Sequence, residues 1–439
     1  MRLIIFLFIA AALMVGCRQN SNTAFMTPGL TLSAQELIVN ADAGPANAPS
    51  KGTLQLATLS LNQAIEIAEQ SHPALALALS RIEESKGAVL QAGLSPNPSL
   101  IARMESARTS GQTTDNAEYI VGLSQDIPLG DRIDAAVEVA QKRQDALSIA
   151  MKVERLEIRR QVQVAYADAW YWNRAADLWN QAVEDAQKNR DFARARLNAG
   201  ESIATELAQV EVELQRTQLA RDKVRASQEQ AVAMLLHAMG HPDAEIGSLE
   251  NWQNTLSLGA PHLEQMLSRL ETNVQLQAIQ AELVARQARL KLAQERRKPD
   301  VSVDVLYHHL DDHASAVDVG LSLPLPLFDR NQGKIHESRA ALISAHIQSD
   351  RLRQDLEHNL RQSHSRLRVA LQSARSLQDT IVPQSRKLLS EVENRYHAGD
   401  VSMADVLIIR RDAVANQLDL LETLRNVLQA KAELLLYLE

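Results

Sequence analysis

Four short segments of the chain alternate between apolar side chains and polar or small ones. Their apolar positions are Leu100, Ala102 and Met104 in the first, Tyr119, Val121 and Leu123 in the second, Val301, Val303, Val305 and Tyr307 in the third, and Val317, Val319, Leu321 and Leu323 in the fourth. A period of two predicts β-strands with a single apolar face. Each strand is about nine to eleven residues long, which suits a strand that crosses a bilayer with lipid on one side and water on the other.

The four strands form two predicted hairpins, over residues 98–128 and 300–327. The alternative is the edge of a soluble β-sandwich, but we find no other segment with a strand pattern. Closed membrane barrels begin at about eight strands, and lipid does not tolerate an open sheet edge. The membrane interpretation therefore makes an oligomer obligatory: two chains supply a minimal barrel, and three supply about twelve strands around an open lumen.

The second hairpin repeats the first, and the helices that follow it are repeated as well. Residues 122–132 read GLSQDIPLGDR and residues 320–330 read GLSLPLPLFDR, so seven of the eleven positions are identical at an offset of 198 (320 − 122). Residues 196–201 (RLNAGE) and 395–400 (RYHAGD) match at an offset of 199 (399 − 200). The chain therefore contains two copies of one long unit.

Each copy is predicted to contain a helix, the hairpin, a very long helix, a tight tip and a returning helix. Ser60 and Gln63 form a capping box at the start of the first helix, whose pattern continues to about Leu94. The long helical stretches run from about Asp131 to Asn198 and from about Asn331 to Ala398. Each has roughly 68 residues and a length on the order of 100 Å, which favours a structure that spans a wide space.

The second long stretch contains Pro383, which predicts a kink or a break. The returning helices carry heptad seams, with Leu207, Val210, Leu214, Val224, Ala231 and Leu235 on one and Val414, Leu418, Leu421, Leu428, Ala432 and Leu435 on the other. Polar residues interrupt both seams and alanine is frequent in them. This pattern favours helices that lie side by side in a wall over a solid bundle.

Composition agrees with long, polar-faced helices, since aromatic residues make up only 3% of the chain and charged residues 23%. The net charge is −8, and the chain has no basic run. These two features argue against a nucleic-acid partner.

The N-terminus has the pattern of an export signal. Arg2 precedes an apolar run over residues 3–15, which is too short to span a bilayer comfortably. Residues 13–17 (LMVGC) resemble a bacterial lipobox, with Met14 where leucine is usual, so we expect residues 1–16 to be a lipoprotein signal peptide and Cys17 to be lipidated. The alternative is an ordinary cleaved signal with an incidental cysteine. Cys17 is the only cysteine, which excludes an internal disulfide.

These patterns predict the organisation of the whole chain. The predicted parts are the signal peptide (1–16), the lipidated cysteine with a flexible tether (17–58), a first repeat (59–240) with its tip at 196–202, a connecting equatorial segment (241–262) and a second repeat (263–439) with its tip at 395–401.

Several motifs together resemble the TolC family of outer-membrane factors. They are the run PLPLFDRNQG (324–333), the two Ala-Gly tips, and the opening LSLNQAIEIA (59–68) with His72 and Pro73. The resemblance covers residues 59–439, and the run at 324–333 looks most like the branch that serves cobalt–zinc–cadmium resistance pumps. It implies a mainly α fold with a small β part: a long α-helical periplasmic barrel, and four transmembrane β-strands per protomer that contribute to a shared twelve-stranded trimeric β-barrel.

The resemblance also implies location and partners. The expected protein is a homotrimer in the outer membrane of a Gram-negative bacterium, lipid-anchored and extending into the periplasm. Its expected partners are outer-membrane lipid, a periplasmic adaptor (membrane fusion) protein and an inner-membrane pump of the resistance-nodulation-division class. It would act as an exit duct, with no enzymatic activity and no cofactor.

The two tips are the first group of candidate functional residues. Gly200 and Gly399 lie between helical runs, where a tight turn needs positive φ. The resemblance implies that the tips face the adaptor, with Arg196, Glu201, Arg395 and Asp400 as polar neighbours of the glycines.

A carboxylate gate is the second expectation. In the family, a ring of aspartates just after the second tip narrows the periplasmic entrance. Aligned on Gly399, the first of these aspartates falls on Asp405, while the second falls on Ile408 and a nearby family arginine on Val401. Glu206 is the counterpart of Asp405 in the first copy (405 − 206 = 199). A trimer would place such carboxylates around one axis and favour cations; the alternative is a solvated acidic helix face.

The second hairpin carries a dense group of residue types that bind metals: His308, His309, Asp311, Asp312 and His313. An exposed polar loop is the favoured interpretation of this group, and metal binding is the alternative. Asp304 and His308 are expected to face the barrel lumen in either case.

Four function classes compete. The first is an efflux channel for metal cations, and the second is the same channel for drugs, other organic solutes or a secreted protein. The third is a periplasmic coiled-coil adaptor, which would have one helical hairpin flanked by β-rich domains. The fourth is a metal-dependent enzyme, but no nucleophile–base pair, phosphate loop or helical metal motif supports it.

The lipobox generates a first prediction. Cys17→Ser removes the thiol that would carry the lipid, so labelling with a radioactive fatty acid should be abolished. Met14→Leu, which makes the lipobox conventional, should retain labelling and serves as the matched control. Undiminished labelling of Cys17→Ser would contradict lipidation at this residue.

Overall fold

The structure is a computed structural model and describes residues 55–105, 118–250, 259–309 and 315–438. The predicted signal peptide and Cys17 lie outside the described residues. Asp311, Asp312 and His313 of the second hairpin also lie outside them.

The first copy contains two short helices, a hairpin and two long helices, preceded by a short strand. In chain order its elements are β1 (Gln55–Leu59), α1 (Leu61–Ser71), α2 (Pro73–Ala92), β2 (Ser99–Glu105), β3 (Glu118–Pro128), α3 (Arg132–Asn198) and α4 (Ala204–Ala238). The succession of helix, hairpin and two long helices is the one that the sequence predicts, whereas β1 and the division of the first helix are not predicted.

The second copy repeats this order after the connecting strand β4 (Glu245–Leu249). Its elements are α5 (Leu263–Arg269), a 3₁₀ turn (Leu270–Thr272), α6 (Val274–Glu295), β5 (Asp300–His309), β6 (Ser315–Ser322), α7 (Gln332–Ser376), a π-helical turn (Leu377–Ile381), α8 (Val382–His397) and α9 (Met403–Leu438). Among the described residues, no helix is both long enough and apolar enough to cross a membrane.

The first predicted helix is two helices. The capping box is present, because the Ser60 side chain accepts from the Gln63 amide and the Gln63 side chain accepts from the Ser60 amide. The prediction that one helix continues to about Leu94 is wrong, since His72 ends α1 in an extended conformation and caps α2. Pro73 has no amide hydrogen to continue the helical ladder, so it occupies the first turn of a new helix.

The long helices begin and end close to the residues that the sequence predicts. α3 is one uninterrupted helix of 67 residues. Its counterpart in the second copy is divided by the π-helical turn Leu377–Ile381, which ends two residues before Pro383. The predicted disturbance therefore takes the form of a local widening of the helix next to Pro383, which has no amide hydrogen for the helical ladder and whose ring crowds the carbonyl one turn earlier.

The two hairpins join into one antiparallel sheet of four strands in the order β2-β3-β5-β6. One face carries exposed apolar side chains on every strand: Leu100, Met104, Tyr119, Val121, Leu123, Val305, Tyr307, Val317, Val319 and Leu321. The predicted period of two is thus confirmed. β6 ends at Ser322, before the predicted boundary at 327, because Pro324 and Pro326 cannot donate to a strand ladder.

A second, smaller sheet was absent from the sequence interpretation. β1 pairs in parallel with β4, with Gln55 opposite Glu245 and Leu59 opposite Leu249. Residues 55–58, predicted as the end of a flexible tether, are therefore a strand, and the statement that no further segment forms sheet is wrong. Each strand has only five residues, so neither carries enough of an alternating pattern to be recognised alone.

The core of the first copy lies where β1, α1, α3 and α4 meet. Leu59 and Leu235 are fully buried in it, and the Tyr166 hydroxyl donates to the Leu59 carbonyl at 2.9 Å. The second predicted seam is only partly correct, because Leu435 is 38% exposed while its neighbour Leu434 is buried. Here the side chains of α5, α6 and α7 decide which face of α9 is covered, and they shift the buried stripe away from the heptad position.

The buried seam of α4 generates the second prediction. Leu235→Ala should lower the free energy of unfolding by about 2–5 kcal/mol, because it removes a side chain with no exposed surface and leaves a cavity. Leu219→Ala on the same helix is the matched control, since Leu219 is 57% exposed, and should change stability by less than about 0.5 kcal/mol. Chemical denaturation in detergent, followed by helical circular dichroism, measures both. Equal losses in the two variants would contradict the placement of the seam.

Candidate functional site at the paired helical tips

Both tips turn through the same backbone geometry. In the first, Gly200 has φ of 78°, its amide donates to Leu197 and the Glu201 amide donates to Arg196. In the second, Gly399 has φ of 84°, with the equivalent bonds to Tyr396 and Arg395. A Cβ at either glycine would meet no other atom within 4 Å. Glycine is therefore required at both tips by the positive φ and not by crowding.

The polar neighbours of the two glycines differ between the tips. Arg196 turns inward: its guanidinium donates to the Glu201 carbonyl at 3.2 Å and lies 5.2 Å from the centre of the Tyr396 ring. Arg395 and Asp400 are exposed, and neither has an ion-pair partner within the described part of the chain. The second tip therefore presents more unpaired charge to a partner than the first.

Glu206 joins the two tips. It lies at the start of α4 and accepts a hydrogen bond of 2.5 Å from the Tyr396 hydroxyl at the end of α8. The Ser202 hydroxyl donates to its other carboxylate oxygen, and the Arg196 guanidinium lies 3.6 Å away. The carboxylate thus holds the returning helix of the first copy to the outgoing helix of the second.

The pKa values follow from these contacts. Burial by itself would raise the pKa of Glu206, but the hydrogen bonds from Ser202 and Tyr396 and the charge of Arg196 outweigh burial and hold this pKa below its ordinary value of 4.5. Burial, reinforced by the Glu206 acceptor, raises the pKa of Tyr396 to about 12. At neutral pH the pair is therefore a phenol that donates to a carboxylate.

Asp405, the counterpart of Glu206, has a different local role. Its carboxylate accepts from the amide and the hydroxyl of Ser402, and its own amide donates to the Ser402 hydroxyl at 3.3 Å. This is a capping box at the start of α9. The hydrogen bonds from Ser402 hold the pKa of Asp405 below its usual range. Asp405 remains at the surface, whereas both oxygens of Glu206 are engaged within the protomer.

An apolar cluster packs beneath the tips. Ala193, Val210, Tyr396, Met403, Val406 and Leu407 are buried in it, and Val401 packs against it. Ile408 is instead 54% exposed. It lies in a groove between the first turns of α4 and α9, together with Val212 and Leu407. Of the two positions where this chain departs from the family gate, one therefore supports the tip from inside and the other faces outward.

The sequence interpretation missed Tyr396 and Ser202 as functional residues. Tyr396 occupies the position of Leu197 in the other copy (396 − 197 = 199). This change, from an aliphatic to an aromatic side chain with a hydroxyl, is a difference between two otherwise matched tips. A comparison of the copies position by position would have identified it as a link specific to the second tip.

The polar face of the four-stranded sheet holds the remaining candidates. His308 lies between two carboxylates: its Nδ1 is 2.5 Å from Oε1 of Glu118, and its Nε2 is 2.9 Å from Oδ2 of Asp318, outside hydrogen-bond geometry. Asp304 lies on the same face of β5, four residues before His308. His309 points to the opposite face, so the strand separates the two histidines. Within the described ranges, no three His, Cys, Asp or Glu side chains are arranged to hold a metal ion.

A family model with the description "Outer membrane efflux protein" matches residues 64–241 and 268–438 of the chain. The two matched ranges correspond to the two copies, and together they cover most of the chain.

Three known proteins are similar along nearly the whole length. The cobalt-zinc-cadmium resistance protein CzcC of Cupriavidus metallidurans is 24% identical over 409 residues, which are 93% of this chain and 95% of that protein. A crystal structure of CusC, described in terms of transmembrane channel formation, matches with a TM-score of 0.72 at 17% identity, over 86% of this chain and 91% of that one. A membrane protein from Pseudomonas aeruginosa matches with a TM-score of 0.73 at 17% identity, over 86% and 92%. The predicted mainly α fold with a small β part is thereby confirmed, whereas the shared twelve-stranded trimeric barrel stays a prediction.

The link between the tips generates the third prediction. Tyr396→Phe keeps the ring but removes the donor to a charged acceptor, so the free energy of unfolding should fall by about 1.5–3 kcal/mol at neutral pH. Because the folded pKa of Glu206 is lowered, its contribution is present above the unfolded value of 4.5 and is lost as the pH falls through the folded value. The difference between wild type and variant should therefore narrow in acid, as measured by chemical denaturation at several pH values.

Tyr119→Phe is the control for this experiment, because Tyr119 is 48% exposed on the sheet. It should leave stability unchanged across the same pH range. A loss in Tyr396→Phe that is equally large at all pH values would contradict this assignment, because the contribution of the hydroxyl would then not depend on the ionised Glu206 carboxylate.

Proposed function

The chain belongs to the outer membrane efflux protein family, and we propose that it is the outer-membrane exit channel of a tripartite efflux system that exports heavy-metal cations. The observation that carries this proposal is the combination found in each copy. A strand pair exposes an apolar face, and a long helical hairpin ends in a charged tip. The first part suits lipid, and the second suits a protein partner across an aqueous space.

The proposed assembly is a homotrimer. Each chain supplies four strands, and the sheet has two edges, β2 and β6, that are paired on one side only. Backbone groups at such an edge have no water to bond in hydrocarbon, so the edges must be joined to other strands. Three chains provide twelve strands, which is enough for a barrel with a passage at its centre.

The tips are the proposed docking site for a periplasmic adaptor, which would connect the channel to an inner-membrane pump of the resistance-nodulation-division class. Gly200 and Gly399 set the turns, and Glu201, Arg395 and Asp400 are exposed beside them. The groove containing Val212 and Ile408 adds apolar surface directly behind these charges. A charged rim around a small apolar groove is typical of a transient protein interface.

The proposed cargo is a heavy-metal cation. Similarity to a cobalt-zinc-cadmium resistance protein supports this choice over drugs, other organic solutes or a secreted protein. Asp405 is the better candidate of the two for a carboxylate ring at the entrance, because it lies at the surface while Glu206 is bound to Tyr396 and Ser202. A ring of three exposed carboxylates around the axis would concentrate cations at that point.

The proposed location is the outer membrane of a Gram-negative bacterium, with a lipid on Cys17 as a second attachment and the helices extending into the periplasm. A periplasmic coiled-coil adaptor is the weaker alternative, because the chain contains two long hairpins and a sheet with a continuous exposed apolar face. An adaptor fold would need neither feature.

The fourth prediction tests cargo and docking together. Deletion of the gene should sensitise cells to zinc, cobalt or cadmium, because the exit step is lost, and expression of the wild-type chain should restore growth. Glu201→Arg combined with Asp400→Arg should fail to restore it, since both tips then present reversed charge to the adaptor. Growth in a series of metal concentrations measures each strain.

Glu229→Arg is the matched control, because it makes the same change at an exposed site far along α4 from the tip. It should restore growth, and an immunoblot should show equal amounts of all variants in outer-membrane fractions. Sensitivity of the deletion strain to drugs alone would contradict the metal cargo and favour a channel for drugs or other organic solutes. Full rescue by the reversed tips would contradict the docking site.

A further inference from the structure

The four-stranded sheet has a free edge on each side, and the chain itself contains a template for how those edges join. The hairpin of the first copy ends in β3, and the hairpin of the second begins with β5. These two strands pair over ten positions, with Ser124 opposite Asp304. β6 is the second strand of its hairpin, as β3 is, and β2 is the first strand of its hairpin, as β5 is. Among the described residues, β6 and β2 each pair with one strand only.

The two hairpins are equivalent residue by residue. Gly122 and Gly320 occupy the same place in the repeated motif (320 − 122 = 198). Ile101 lies opposite the first glycine and Asp304 lies opposite the second, so these two positions are equivalent as well (304 − 101 = 203). The register of any pair between the copies can therefore be transferred to the free edges.

We propose that β6 pairs antiparallel with β2 of a second copy of this chain, in the register that β3 and β5 have inside the chain, and that the seam is held by an ion pair between Asp304 and the partner's Arg103. The transfer puts Ser322 opposite the partner's Ile101 and Gly320 opposite the partner's Arg103. This register rests on the proposed trimer and specifies which residues of β6 and of the partner's β2 lie opposite each other at the interface.

The register preserves the two faces of the sheet. Val319 lies opposite the partner's Met104, and Leu321 lies opposite the partner's Ala102, so the apolar face continues across the seam. A slip by one residue would turn Gly320 and Asp318 toward the apolar positions of the neighbouring strand. A slip by two residues keeps the faces but removes the correspondence with the β3–β5 pair.

The polar face supplies the ion pair. Gly320 separates the partner's Arg103 from Asp304, and strands lie about 4.8 Å apart, so the two backbones are roughly 10 Å apart across the glycine. An arginine side chain spans that distance when nothing projects between. A Cβ on Gly320 would lie 3.5 Å from Asp304, which is ordinary contact. Packing within the chain therefore gives no reason for glycine at this position, whereas an arginine that crosses it does.

Both ends of this ion pair are available in the single chain. Asp304 has no ion-pair partner in the part of the chain that the structure describes. Among the described residues, the ion-pair partner of Arg103 is Glu105 at 3.7 Å, and both side chains are about half exposed. Such a contact is weak, so Arg103 can exchange it for Asp304 of the next copy at little cost.

The helices support the same arrangement independently. Inside the chain, α6 of the second copy packs on α3 of the first, and Lys291 meets Glu138 at 2.6 Å. The same operation would place α2 of one copy on α7 of the next. These two helices expose large apolar side chains: Leu77, Leu79 and Leu90 on α2, and Ile343 and Ile347 on α7.

Disulfide cross-linking tests the register. In a Cys17→Ser background, Val319→Cys combined with Met104→Cys should give covalent dimers and trimers on a non-reducing gel after mild oxidation. Leu321→Cys combined with Met104→Cys, on the same face but displaced by two residues, is the control and should remain monomeric on that gel. Efficient cross-linking of the displaced pair, or of neither pair, would overturn the register.

Charge reversal tests the ion pair. Arg103→Asp and Asp304→Arg should each lower the temperature at which the detergent-resistant oligomer dissociates, and the double variant should regain most of the loss. A double variant no more stable than either single variant would overturn the ion pair. Both readouts are made on purified protein without cargo, so failure of metal export with intact cross-linking would contradict the proposed function and leave the seam in place.

Discussion

The rest of the structure depends on the unpaired backbone groups at the two edges of one small sheet. Within the described residues, β2 and β6 each have one edge whose amide and carbonyl groups pair with no other strand, and the same sheet exposes apolar side chains along one whole face. In water an open edge is a liability; in hydrocarbon it is prohibitive, because each unsatisfied group costs several kcal/mol. The four-stranded sheet can therefore place its apolar face in lipid only if strands of another chain pair with β2 and β6.

Duplication of one unit provides strands that can pair with each other's edges. Each copy supplies a hairpin, and the pairing of β3 with β5 shows that the end of one copy fits the beginning of the other. The helices follow the same logic, since the long helix α3 contacts α2 of its own copy and also α6 of the second copy. Interfaces of this kind need small side chains, and buried alanines such as Ala167, Ala169 and Ala175 along α3 allow the close approach.

The two helical tips are not equivalent in the same way, because their side chains make different contacts. Their backbones are nearly identical, with a glycine at positive φ in each. Their side chains are not: the first tip turns Arg196 inward and commits Glu206 to Tyr396, while the second leaves Arg395, Asp400 and Asp405 at the surface. One copy thus holds the pair of hairpins together, and the other offers its charges to the outside.

The sequence by itself determined the parts of the structure that depend on local repetition. The period of two gave the strands and their apolar face, the capping box and Pro383 marked helix boundaries, and the repeated motifs located both glycine turns. Only the tertiary structure decided what depends on distant contacts. The pairing of β1 with β4 and the bond from Tyr396 to Glu206 each join residues 190 positions apart, and Leu435 is exposed because three other helices choose the covered face of α9. Periodicity reports which side of an element is apolar, but the neighbours that bury it are fixed by packing.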